Sequence, residues 1–278
     1  SRVAAKALLN LSVNLAGVSG RPAQLQLPEG RQFTTSVDGV SYTFRTLETY
    51  FAKDNGSGVY NFLTTEGSDE IPVHEGEEKT KTFISGETEE RQVFVIPDET
   101  IDTKTASVLV FDTVSSTQFI QYTPLAEAST IDKDTTVFTI REAPNGFYEL
   151  NFGDGISFGK KPDPGNKIVV TYLSTKGPTA NLADTFTATS DLTVQGINYT
   201  ITAVTASEAT GGSFKQSIES VRQLAPLAFA SQQRMVTSAD YKAIILSNFS
   251  DVTDVAVWSG DQNVPIDYGK VYISLNFP

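Results

Sequence analysis

The sequence predicts an α+β fold, predominantly antiparallel β: a β body with an inserted β domain, flanked by an N-terminal helix and a C-terminal α-α-β-β unit. Three observations predict it. Short apolar runs of period two, separated by turn residues, fill most of the chain between residues 24 and 204. Helical spacing of apolar residues precedes them. After Gly211-Gly212 the spacing becomes helical again, and alternation returns near the end.

Each element follows from its residues. Ala4, Ala7, Leu8, Leu11 and Leu15 recur at steps of three and four, which predicts a helix ended by Gly17 and Gly20. From 24 to 47 the pattern is strand-like, with Val37-Asp38-Gly39-Val40 as a hairpin turn and Tyr42 and Phe44 alternating with Thr43 and Arg45. A polar stretch over 49–74 leads into an acidic run over 75–90, whose mutual repulsion predicts a solvated surface loop. Strand signals resume at 93–96, 107–111, 118–122, 137–140 and 147–152. The β-branched run 168–173 predicts a central strand, and 192–204 a hairpin turning at Gln195-Gly196. Phe214, Ile218, Val221 and Ala225 share a helical face until Pro226. A second helix starts at Thr237, with Asp240 completing a capping box and Tyr241, Ile244 and Ile245 forming the buried face. Two alternating runs follow, one carrying Val255 and Val257, the other Val271, Ile273, Leu275 and Phe277.

Composition limits the chemistry. Among 278 residues, 21 Lys and Arg against 33 Asp and Glu leave a net charge of -12, which opposes generic binding to nucleic acid or to an anionic membrane surface. Without Cys there is no thiolate metal site, and a single His gives no multi-histidine site. No run of about 18 apolar residues occurs. His74, the sole imidazole, sits in the acidic stretch, and no Gly-x-Ser-x-Gly elbow accompanies it. Glu149 and Asp154 flank an aromatic strand in the manner of a glycosidase pair, but an exposed strand residue and a turn aspartate explain them more simply. Residues 153–159 lack the spacing of a phosphate-binding glycine loop. The residues therefore predict no catalytic, metal or cofactor site. A start at Ser1, a single Met at position 235 and an end directly after a strand-like run read as a piece of a longer protein.

The C-terminal third carries a resemblance. Ala209-Thr210-Gly211-Gly212, Ser217-Ile218-Glu219-Ser220-Val221-Arg222, Ala225-Pro226, Arg234, Val236-Thr237 and Asp240-Tyr241 succeed one another there, followed by Val264-Pro265 and Gly269-Lys270-Val271-Tyr272-Ile273. Upstream stand Pro28, Gly30, Phe33, Gly39, Tyr42, Phe44, Gly177 and Asn181. Together these residues resemble the baseplate J-like family of contractile phage tails, and the longer β excursion is similar to the larger wedge subunits of T-even-type phages, of which this chain would be a C-terminal piece. The resemblance implies four segments: 1–48, a helix and the first part of a core β domain; 49–172, an inserted β domain; 173–210, the rest of the core domain; 211–278, an α+β domain. It also implies a non-enzymatic structural subunit of the virion tail baseplate, assembled in the host cytoplasm, without membrane insertion. Its partners would be itself, as a dimer and as a larger ring around the tail hub, and other wedge proteins that rearrange on contraction. Gly211, Gly212, Glu219, Arg222, Pro226, Arg234, Thr237, Asp240 and Tyr241 are the motif and interface candidates, with self-association expected near 214–249. Glu219, Arg222, Arg234 and Asp240 either form a polar network fixing the helices or cover their solvent faces. The alternative is a glycan-binding or glycan-cleaving β module, which requires a groove exposing Tyr148, Phe152 or Trp258 beside a carboxylate.

Overall fold

The computed structural model of the chain describes residues 1–86, 92–217, 237–249, 252–263 and 265–277. They belong to two compact units, Ser1–Phe214 and Lys215–Pro278. The first unit opens with β1 (Lys6–Asn14), β2 (Gln24–Leu27), β3 (Gln32–Val37), β4 (Val40–Arg45), β5 (Tyr50–Lys53), β6 (Val59–Asn61) and β7 (Glu70–Glu75). Next come β8 (Glu77–Ile84), β9 (Phe94–Ile96), β10 (Ile101–Phe111), β11 (Phe119–Pro124), β12 (Val137–Glu142), β13 (Tyr148–Phe152) and β14 (Lys167–Ser174). The unit ends with β15 (Thr187–Ala188), β16 (Leu192–Val194), β17 (Ile197–Tyr199) and β18 (Ile201–Thr210).

Two seven-stranded sheets organise these strands. In the first the order is β15-β3-β4-β7-β1-β18, with β6 also paired to β1; in the second it is β8-β14-β10-β11-β12-β13-β9. Every pairing is antiparallel except β11 with β12. The β3–β4 hairpin turns at Asp38 and Gly39, with φ of 50° and 79°, and β16–β17 turns at Gln195 and Gly196, with φ of 52° and 80°. Two positive dihedrals match the twist of the flanking strands, so both turns lie where the local sequence placed them.

The N-terminal segment is a strand, which corrects the expected helix. Ala5, Ala7, Leu9, Leu11, Val13 and Leu15 are all buried, while Lys6, Leu8, Asn10, Ser12 and Asn14 face the other way. Their period is two. The helical series chosen from the sequence took in Leu8, which is half-buried, and left out Leu9, which is fully buried. Pairing decides the matter: β1 is flanked by β18 on one edge and by β7 and β6 on the other, so its backbone groups are satisfied by neighbours distant in sequence. The core beneath it also contains Phe33, Phe44, Tyr60, Phe62, Ile71 and Phe186, with Phe44 and Phe186 meeting edge to face at 5.0 Å.

The second sheet has its own core, including Phe94, Ile96, Ile101, Val108, Tyr122, Leu150, Ile168 and Val170. Its edge strands β8 and β9 meet through Phe83 and Phe94, whose ring centroids are 5.4 Å apart, so the sheet curls back on itself. The predicted central strand over 168–173 is β14, between β8 and β10. The acidic run departs from the expected loop. Glu75 ends β7 and is buried, and Glu77 and Glu78 begin β8, an edge strand whose glutamates point to solvent. An edge strand tolerates like charges because one side and one face remain hydrated. Residues 87–91 lie outside the described residues.

The second unit contains α1 (Ser238–Asn248), β19 (Asp254–Ser259) and β20 (Val271–Asn276). Thr237 caps α1: its Oγ1 accepts from Asp240 N at 3.2 Å, and Asp240 Oδ2 accepts from Thr237 N at 2.8 Å. Ile245 is buried with Val252 and Val255, Leu246 and Val257 pack against them, and Tyr241 and Ile244 are half-buried. The expected α-α-β-β order is corrected to α-β-β among the described residues. Phe214 lies outside any helix and is 57% exposed. Ile218, Val221, Ala225 and Pro226, on which the other predicted helix rested, lie outside the described residues.

Two stability measurements follow from the register. Leu9→Ala should cost about 2–5 kcal/mol in urea unfolding and Leu8→Ala less than about 1, the reverse of the order a helical face through Leu8 requires. His74 lies half-buried on β7 between Lys6 of β1 and Arg45 of β4. Burial, and then Lys6, push its pKa down to about 4. The unfolded chain therefore takes up this proton first, and stability falls as pH drops from about 6.5 towards 4, by up to about 3 kcal/mol. Unfolding midpoints of wild type and His74→Gln compared across that window should isolate the difference.

Candidate functional site

Among the described residues the predicted motif residues occupy two places. Gly211 and Gly212 follow β18, Thr237, Asp240 and Tyr241 form the first turn of α1, and Glu219, Arg222, Pro226 and Arg234 lie outside the described residues.

Gly212 meets Gly177 and Asn181, the upstream pair named with it in the sequence. Asn181 Oδ1 accepts from Gly212 N at 2.9 Å, and Asn181 Nδ2 donates to Gly212 O at 3.0 Å, so one side-chain amide holds both backbone groups of that residue. The fit admits no side chain. A Cβ on Gly212 would stand 2.5 Å from Gly177 O, 2.8 Å from Asn181 Oδ1 and 3.0 Å from the Ala5 Cβ. Gly177 adopts φ +72°, and a Cβ there would come within 2.9 Å of Ser213 O. Gly177 and Gly212 thus serve close backbone approach, which a side chain at either position would block. Arg2 stacks over the exposed Phe214 ring at 5.6 Å, next to this joint.

Beside it lies a buried carboxylate that sequence reading placed in a loop. Glu75 Oε2 accepts from Thr175 Oγ1 at 2.6 Å and from Lys176 N at 3.0 Å, and Thr175 Oγ1 in turn accepts from Gly177 N at 3.0 Å. Burial pushes the Glu75 carboxyl pKa up, while Thr175, Lys176 and Arg2 pull it back. Its signal was present: Ile71, Val73 and Glu75 alternate, and the first two are fully buried, so period two turns Glu75 inward as well.

The carboxylates weighed as a catalytic pair line a groove of about 670 Å³ with Arg141, Phe94, Phe152 and Phe158. Asp154 Oδ1 accepts from the backbone N–H groups of Ile156, Ser157 and Phe158 at 2.8, 2.8 and 2.9 Å, which holds its pKa below the usual range. Such a carboxylate organises its own turn and is a poor proton donor near neutrality. Tyr148 is buried, and Trp258 stacks on Tyr272 at 5.8 Å while donating to Asn263 Oδ1 at 2.8 Å.

Replacement of Gly212 by Ala should destabilise the chain by about 1–3 kcal/mol, because backbone and Asn181 must both give way. Gly211→Ala has open space and only its positive φ against it, so urea unfolding should show a loss of about 1 kcal/mol there.

Residues 237–277 match the family described as baseplate structural protein gp6, C-terminal domain I. The sequence is 25% identical to the baseplate wedge protein gp6 of Enterobacteria phage T4, in an alignment of length 249 that covers 77% of this chain and 36% of that protein. A chain of the type VI secretion system TssK-TssF-TssG baseplate subcomplex, solved by cryo-electron microscopy, aligns over 99% of this chain and 80% of its own at 8% identity, with a TM-score of 0.44. That last likeness is too distant to bear on function. The family match and the long alignment agree with each other, and the chain is related to the baseplate wedge proteins of phage tails.

Proposed function

We propose that this chain is a non-enzymatic structural part of a tail baseplate wedge in the virion. It associates with copies of itself and with other wedge proteins around the tail hub, and its interfaces repack when the tail contracts. Within this body the second sheet, β8 to β14, acts as an inserted β domain, while β6 and β7, which pair with β1, belong with the core domain. Assembly takes place in the host cytoplasm. The observation that carries the reading is the alignment of length 249 to a baseplate wedge protein. Physical chemistry supports the manner of action: sheets with dense cores move as rigid pieces while contacts between subunits change.

Self-association uses the C-terminal unit, including the motif residues Thr237, Asp240 and Tyr241. Support comes from β20. In the β19–β20 pair, Val255 faces Leu275 and Val257 faces Ile273, so these four side chains share the face that α1 covers. The cover reaches β19 but leaves Val271, Ile273, Leu275 and Phe277 between 42% and 58% exposed. A row of this kind on a two-stranded sheet is under-buried and suits a protein contact.

A second reading, a glycan-binding module, has the groove at Phe152 and Glu149 in its favour. A glycan array that stays blank removes it. For the main reading, light scattering of the whole chain should give a concentration-dependent dimer, and Ile273→Glu with Leu275→Glu should weaken it by at least about tenfold. A monomer at every concentration, together with failure to bind wedge proteins, would overturn the assembly role.

A further inference from the structure

The first unit contains a second cleft, of about 450 Å³, that the assembly role does not use. It is lined by Lys6 and Leu8 of β1, His74 of β7, Lys104 of β10, Leu47, Ser207 and Thr210. Its charge is opposite to that of the chain as a whole, whose net charge is -12. Neither Lys6 nor Lys104 has a carboxylate partner among the described residues. The carboxylate on the wall, Asp102, is 2% exposed, and its two oxygens accept from Ala4 N at 2.8 Å and Lys104 N at 3.0 Å. His74 Nδ1 is buried without a hydrogen-bond partner. Two ammonium groups and a Thr210 hydroxyl without partners among the described residues thus border a space whose walls combine the aliphatic side chains of Val3, Leu8 and Leu47 with His74, Asp102, Thr105 and Ser207.

We propose that this cleft binds an organic carboxylate with a short apolar stem, its oxygens held by Lys6 and Lys104 and its stem lying on Leu8 and Leu47. Charge selects the ligand class: a cation would meet two ammonium groups, and an apolar molecule would leave both of them facing it unpaired. The volume falls in the range of about 300–1,000 Å³ usual for small-ligand sites. His74 reports occupancy. It is the only histidine, so its imidazole signals are unique, and Lys6 already acts on it electrostatically. A carboxylate placed on Lys6 changes the field at the ring.

The chemistry has two sources, a free small acid or an acidic side chain presented by another protein, and one titration separates them. Isotope-labelled whole chain at neutral pH is titrated with sodium 4-methylpentanoate, with acetyl-Leu-Glu-Leu-amide, and with sodium chloride at matched ionic strength. Saturable movement of the His74 imidazole signals is expected. It should weaken by about tenfold or more in Lys6→Met with Lys104→Met, survive in the doubly Arg-substituted chain, and remain unchanged in Lys53→Met. Saturation by the small acid alone assigns a free ligand, and tighter saturation by the peptide assigns a presented side chain. Drift equal to that in chloride, or saturation that persists in the double Met variant with its amide spectrum still dispersed, overturns the proposal. The outcome does not depend on dimerisation or wedge binding, so it fails or stands separately from the assembly role.

Discussion

The carboxylate of Glu75 sits where the chain leaves the first sheet for the second, and Thr175 and Lys176, which it holds, sit where the chain returns. Both passages between sheets are therefore tied at one buried group. Around it the bonds continue: Arg45 Nε donates to Gly76 O at 3.2 Å, Arg2 Nη1 donates to Thr175 O at 3.2 Å, and Thr175 N donates to Thr100 O at 2.9 Å. Each sheet has its own core, so the covalent crossings alone would leave their junction loose. A buried, hydrogen-bonded charge specifies one geometry because any displacement strands it without partners.

The same junction explains the glycines. Once Thr175 and Lys176 are fixed, Gly177 must turn back towards Ser213, and the chain leaving β18 must pass within contact of it. Gly212 and Asn181 solve that crowding together, one by having no side chain and the other by meeting both backbone groups of its neighbour. The motif residues of this region are packing devices at a crossing of strands.

Much of the β pattern was legible because hairpins and caps are local. Val37 to Val40 and Gln195-Gly196 turn where their residues require, and Thr237 with Asp240 closes its box within a single helical turn. The first strand was not legible. In its segment both a helical and an alternating series of apolar residues can be drawn, and propensity does not choose between them. The candidate site was partly legible: Gly177, Asn181 and Gly212 belong to the motif series, but nothing in their spacing shows that they touch. Glu75 and His74 were misplaced in a solvated loop, since a cluster of acidic residues around them outweighed the short alternation to which they belong.

By itself, the chain's order of residues determined its strand-rich character, its turns, the cap of α1, the acidic excess and the absence of thiolate or multi-histidine chemistry. These depend on contacts a few residues apart or on composition alone. Pairing between remote segments determined the rest: β1 became a strand because β7, β6 and β18 satisfy its edges, Glu75 became a clamp because Thr175 meets it, and two lysines were brought to one cleft. Burial and electrostatic field at a residue are set by whatever packs against it, and in a β fold those neighbours come from far along the chain.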